Sequence, residues 1–132
     1  MTCAELYSFA ERRGYSVVCC DLPETESLCV DLDGRCYIGL DPHLRGVEEL
    51  EHVAHEIGHA EYGGFYNQYS AFDLIGKAER RAEKWAFFHL CPLSDVRHFR
   101  NVPVFEMAEH FGVSVRFMES AISFYRDAGL LF

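Results

Sequence analysis

Apolar and polar positions change their period several times along this chain, and each change marks an element. Over residues 2–13, Leu6, Phe9 and Ala10 recur at helical spacing among charged residues, with Thr2 and Glu5 at capping-box spacing and Gly14 behind them. That pattern predicts a first helix. Residues 15–20 (Tyr-Ser-Val-Val-Cys-Cys) form a β-like run that Pro23 breaks. Two further strand-like runs, 28–32 and 35–40, are joined through Asp33-Gly34, a hairpin signal because glycine accepts the positive φ such a turn demands. Asp41-Pro42 ends the hairpin, and a helix is predicted over about 47–61, closed by Gly63-Gly64.

A polar, tyrosine-rich stretch (61–69) leads to a third helix over about 72–90, with Ser70 and Asp73 at its cap and Pro92 beyond its end. Ala82, Trp85, Ala86 and Leu90 give it an apolar stripe that presses it inward. Residues 102–127 read as two short helices, with Pro103 in the first turn of one, Gly112 between them and Ser114 opening the other. No repeat or low-complexity tract interrupts the chain. The expectation is one α+β domain over residues 1–132: a small antiparallel sheet packed on the 47–61 helix, a second long helix beside it, and a C-terminal helical pair.

The 47–61 helix carries the chemistry. His55-Glu56-Ile57-Gly58-His59 is an HExxH motif: residues four apart share a helical face, so both imidazoles can reach one metal ion. Glu56 then falls where it can accept a proton from water at that ion. A catalytic zinc site takes a third protein ligand and keeps a fourth position open. The third helix offers Glu79, twenty residues after His59, as the leading candidate over Glu83, with His89 further along. Glu83, one turn beyond Glu79, is expected to hold a ligating histidine through its free ring nitrogen. His52, one turn before His55, would close the open position as a ligand and is read as a neutral neighbour of the site. Tyr62, Tyr66 and Tyr69 are candidate donors to an oxyanion, with none singled out. Arg80 and Arg81 read as solvated.

Composition narrows the alternatives. With 132 residues, the chain has room for a buried core without covalent staples. The six cysteines include no Cys-x-x-Cys pair and no export signal precedes them, so reduced thiols in the cytoplasm are expected. No apolar run approaches a membrane span. A formal net charge of −9 argues against a nucleic-acid partner, which needs a basic surface. The tail segment Met107–Ser114, with an Ala followed by Phe-Gly-Val-Ser, resembles the turn of a helix-turn-helix. The helix after it sets Arg116 and Arg126 against Glu119 and Asp127, so core completion is the stronger reading.

The HEIGHA segment at 55–60, followed by Glu79-Arg80-Arg81-Ala82-Glu83-Lys84-Trp85-Ala86, resembles the ImmA/IrrE metallo-endopeptidase family. In that family the aromatic before the last alanine is commonly Phe, here Trp85, and the usual closing Met-Pro is reduced to Cys91-Pro92. The segment 105–114 is similar to the ends of short family members from prophages and conjugative elements. The resemblance implies Zn²⁺ held by His55, His59 and Glu79 with Glu56 as base. It also implies cleavage of a protein substrate, often a helix-turn-helix transcriptional repressor encoded nearby. The strand at 35–40, with Tyr37 and Ile38, is expected to offer its backbone edge to an extended substrate. The competing reading is a binding module that keeps zinc as a structural or sensing element.

Overall fold

A computed structural model describes residues 1–63 and 72–131. In chain order the elements are α1 (Cys3–Arg12), β1 (Ser16–Cys19), β2 (Ser27–Leu32), β3 (Arg35–Leu40), α2 (Gly46–Tyr62), α3 (Phe72–Leu90), α4 (Leu93–Val96), α5 (Val104–Phe111) and α6 (Val115–Asp127). Among the described residues no helix is long and apolar enough to cross a membrane.

Local chemistry accounts for most of these boundaries. Thr2 and Glu5 form a reciprocal capping box at the start of α1. Asp33 and Gly34, at φ 54° and 81°, make the tight turn of the β2–β3 hairpin. Ser114 caps α6 by accepting from Phe117 N at 3.1 Å. The one-turn helix α4 was not foreseen. It fills the step after Pro92, where Asp95 N and Val96 N donate to Pro92 O.

The sheet differs from expectation in one respect that matters for the site. Its order is β1-β3-β2, with β3 antiparallel to β2 but parallel to β1, so it is mixed rather than antiparallel. The two-residue turn makes β2 and β3 neighbours running in opposite directions. β1 then joins the far side of β3 in the same direction as β3, with Val17 opposite Ile38 and Cys20 N donating to Leu40 O at 2.9 Å. Tyr37 and Ile38 therefore lie in the central strand, hydrogen-bonded on both sides, and cannot offer an open edge. Burial agrees: the second half of β3 is continuously buried and Ile38 is fully so. β1 and β2 each keep one edge unpaired among the described residues, and it is β2 that lines the main cavity.

α2 packs against this sheet and, more extensively, against α3. Leu50, Val53, Ala54 and Ile57 of α2 meet Trp85, Ala86, Phe87 and Leu90 of α3 in one core, which Leu6, Ile38, Met107 and Met118 extend. The two helices come closest at Gly58, where a Cβ would sit 2.7 Å from Ala82 O and 2.8 Å from Ala82 Cα. The C-terminal pair completes the core, in line with the stronger reading of residues 108–114. Met107, Ala108, Val113, Met118, Ala121 and Tyr125 are buried, and the Tyr125 hydroxyl donates to Phe87 O and Cys91 O at 3.0 and 2.7 Å. Glu51 of α2 accepts from Ser114 N and Oγ at 2.9 and 3.0 Å, which holds the start of α6 beside the cavity.

Candidate metal centre

The i, i+4 spacing on α2 stacks His55 above His59, and the close α2–α3 crossing brings Glu79 to them, one turn before Ala82. His59 Nε2 lies 3.2 Å from His55 Nε2 and 3.0 Å from Glu79 Oε1, and His55 Nε2 lies 3.0 Å from Glu79 Oε2. Two imidazole nitrogens face each other across a carboxylate.

Whether these donors fit a metal ion is a question of spacing and lone pairs. Ligands about 2.0–2.1 Å from a tetrahedral Zn²⁺ are about 3.3 Å from one another, close to the spacings found here. A single proton between the two nitrogens would leave other lone pairs opposed, whereas one cation satisfies all three donors. An imidazole, imidazole, carboxylate set suits zinc. His59 is buried, while His55 and Glu79 each keep about a third of the side chain exposed (29% and 33%), which leaves one side of the site open. Without an ion, burial works against a charge on His55. Its hydrogen bond to Glu79 and the fields of Glu56, Glu79 and Glu83 outweigh that and raise its pKa.

The open side gives onto a cavity of about 880 Å³ between the β2 edge, α2, α3 and the start of α6. Glu56 lines it, buried to 6% exposure, and accepts a hydrogen bond from Ser27 Oγ at 2.6 Å. Glu83 also lines it but is exposed and, among the described residues, hydrogen-bonds to neither histidine. The expected tether from Glu83 to a ligand is thus absent. The Glu83 charge still acts on His55 through space. His89 is turned to other work: its Nδ1 lies 2.8 Å from Trp85 O and its ring stacks on the indole, centroids 3.7 Å apart. Tyr62 is half-exposed at the end of α2, while Tyr66 and Tyr69 lie outside the described residues.

His52 does not approach the metal donors. Its Nδ1 lies 2.7 Å from Ser27 Oγ and its Nε2 2.9 Å from a Glu26 oxygen. Sequence reasoning did not find Ser27 or Glu26. A serine at the head of a strand is ordinary, and only the packing of β2 on α2 brings it to Glu56.

A histidine pair and a carboxylate on two packed helices, with a buried glutamate beside them and a small sheet bordering an open cavity, define a zincin-like domain. The family model of the IrrE N-terminal-like domain, a peptidase family (M78), matches residues 10–123, and the chain belongs to that metallopeptidase family. No curated relative matches it at a significant level.

Proposed function

We propose that this protein is a zinc-dependent endopeptidase that cuts a protein substrate in the cytoplasm. The observation that carries the reading is the convergence of His55, His59 and Glu79 on one point, with the buried Glu56 carboxylate at the same cavity wall. His55, His59 and Glu79 would hold the ion. Zinc, when bound there, supplies Lewis-acid polarisation of a peptide carbonyl and makes water at the site more acidic. Glu56 takes a proton from the attacking water and returns one to the leaving nitrogen. The β2 edge, rather than β3, offers backbone groups to an extended chain, as in strand addition. α6 forms the opposite wall through Phe117 and Arg116.

The favoured substrate is a transcriptional repressor of a phage or mobile element encoded beside this protein, which the family resemblance implies. Direct nucleic-acid binding is not part of the proposal, given the net charge of −9.

The test is co-expression of that neighbouring repressor with the wild type and with Glu56→Gln. The wild type should shorten or deplete the repressor, while Glu56→Gln should keep its zinc and leave the repressor whole. Equal effects of the two on the repressor would mean that the protein acts by binding, not by cleavage.

A further inference from the structure

We infer that Ser27 and His52 are positioning residues for Glu56, aligned in turn by Glu26, so that the glutamate presents one chosen oxygen to the cavity. This rests on the reading of Glu56 as the proton acceptor and adds to it.

The geometry admits few alternatives. Ser27 is 8% exposed, and its hydroxyl sits 2.6 Å from Glu56 Oε2 and 2.7 Å from His52 Nδ1. A hydroxyl has one proton and therefore one donation to make. If it were given to His52, the Glu56 oxygen would face the serine oxygen at 2.6 Å with no proton of the serine's between them. When His52 donates from Nδ1, Ser27 accepts that proton and passes its own to Glu56, and both short contacts become hydrogen bonds. The other ring nitrogen of His52 meets the Glu26 carboxylate at 2.9 Å, and because a carboxylate only accepts, both ring nitrogens donate here, as in the imidazolium form rather than the neutral one expected from sequence. The chain of donors thus has a direction, and it ends on Oε2.

The consequence for Glu56 follows from its other oxygen. Oε1 has no hydrogen bond among the described residues, yet no buried side-chain oxygen there lacks a partner. Oε1 must therefore be open, and Glu56 opens onto the cavity that holds His55, His59 and Glu79. Ser27 occupies one carboxylate oxygen and so leaves the other free to take a proton from water in the cavity. A freely rotating carboxylate would spend much of its time elsewhere, and fixed geometry of this kind contributes to rate.

The far end of the chain is fixed by its backbone. Glu26 has φ 67°, a left-handed conformation that residues with a Cβ seldom adopt. That backbone is pinned on both sides, by Glu26 N donating to Leu22 O at 2.9 Å and Asp41 N donating to Glu26 O at 2.8 Å. It brings the Glu26 carboxylate back over α2 to His52, with His43 Nε2 3.6 Å from its other oxygen. The strain falls on the residue immediately before Ser27.

The experiment uses full-length protein loaded with zinc and acetohydroxamic acid as the probe. This small chelator gives up a proton on binding, which a carboxylate at the position of Glu56 can accept. Zinc content and the acetohydroxamate Kd are measured for the wild type, Ser27→Ala, Ser27→Thr, His52→Ala and Glu56→Gln. Ser27→Ala should keep its zinc and lose about tenfold or more in acetohydroxamate affinity, the range for losing an outer hydrogen-bond partner. Ser27→Thr, which keeps a hydroxyl, should recover most of that loss, and His52→Ala should lose a smaller factor in the same direction. Unchanged affinity in Ser27→Ala beside a weakened Glu56→Gln would overturn the proposal while sparing the peptidase reading. Unchanged affinity in Glu56→Gln itself would instead remove the premise. Loss of zinc from Ser27→Ala would also overturn it, since Ser27 would then be acting on the metal site. If Ser27→Ala does not fold, Ser27→Thr and His52→Ala read the same chain from its two ends.

Discussion

At the scale of single residues, the three converging donors are not equivalent to their charged neighbours. His55→Ala or His59→Ala should remove most of the roughly one zinc per chain expected from elemental analysis of the purified protein. Glu79→Gln should weaken zinc by well over about 100-fold, because a bond to the ion is lost. Glu83→Gln should cost less than about tenfold, since that side chain reaches neither histidine and acts only through its charge. A competition titration with a chromogenic chelator separates the two, and a larger loss from Glu83→Gln would reverse the ligand assignment. A different pair of residues predicts a dependence on pH. Asp41 is held below its ordinary 3.8, first by the backbone N–H of His43 and then by its ring, and His43 is raised above 6.5 by its hydrogen bond to Asp41. The Asp41 contribution is complete above 3.8 and fades as acid reaches its lowered pKa. The His43 contribution is complete below 6.5 and fades as pH rises through its raised pKa. The stabilisation lost in His43→Ala, read from urea midpoints, should therefore be largest between pH 3.8 and 6.5.

At the scale of elements, the α2–α3 crossing decides whether a metal site exists. Gly58 sits inside the HExxH motif but has no ligand atom; its role is to let Ala82 approach. A methyl group there would lie 2.7 Å from backbone oxygen and 2.8 Å from backbone carbon, neither of which can rotate away. Gly58→Ala should destabilise the fold by about 1–3 kcal/mol, the usual cost of overpacking. It should also loosen zinc, because Glu79 moves with Ala82. Thermal unfolding and zinc affinity measured on the same preparation would check both, and unchanged values would show that the crossing tolerates a methyl group. The helix periods were plain in the sequence, as were the caps at Thr2 and Ser114 and the hairpin turn at Asp33-Gly34. The distance between the helices was not, since it depends on which small residue meets which.

At the scale of the whole molecule, the metal donors sit on a scaffold that the core already supports. Ile57, on the metal-bearing helix, is fully buried, and so are Val53 and Leu90 nearby. Chelation is therefore expected to leave the helical circular dichroism at room temperature intact while lowering the unfolding temperature. Zinc held about a hundredfold above its Kd would contribute about 2.7 kcal/mol. Collapse of the helical signal on chelation would show instead that the ion organises the fold. The same scaffold closes the cavity from several directions at once, with β2, α2, α3 and α6 each contributing wall residues. α6 is held there by Glu51, one turn before His55 on α2, and by Tyr125, far in sequence from the ligands.

The sequence by itself determined every element but α4, and the identity of the donors. Helical period, caps and the Asp-Gly turn act within a few residues, and the His55/His59 pairing is a property of one helix turn. Glu79 was legible too, as a carboxylate on the inward-facing side of the next helix. Only the tertiary structure decided which strand borders the cavity with a free edge, because pairing order depends on where β1 docks after the hairpin has formed. That moved the proposed substrate edge from Tyr37 and Ile38 in β3 to β2. It also decided that Glu83 falls short of the histidines and that Ser27, from a strand 29 residues away, holds Glu56. Contacts of that kind are made across space by side chains whose sequence neighbours give no sign of them, and packing alone selects them.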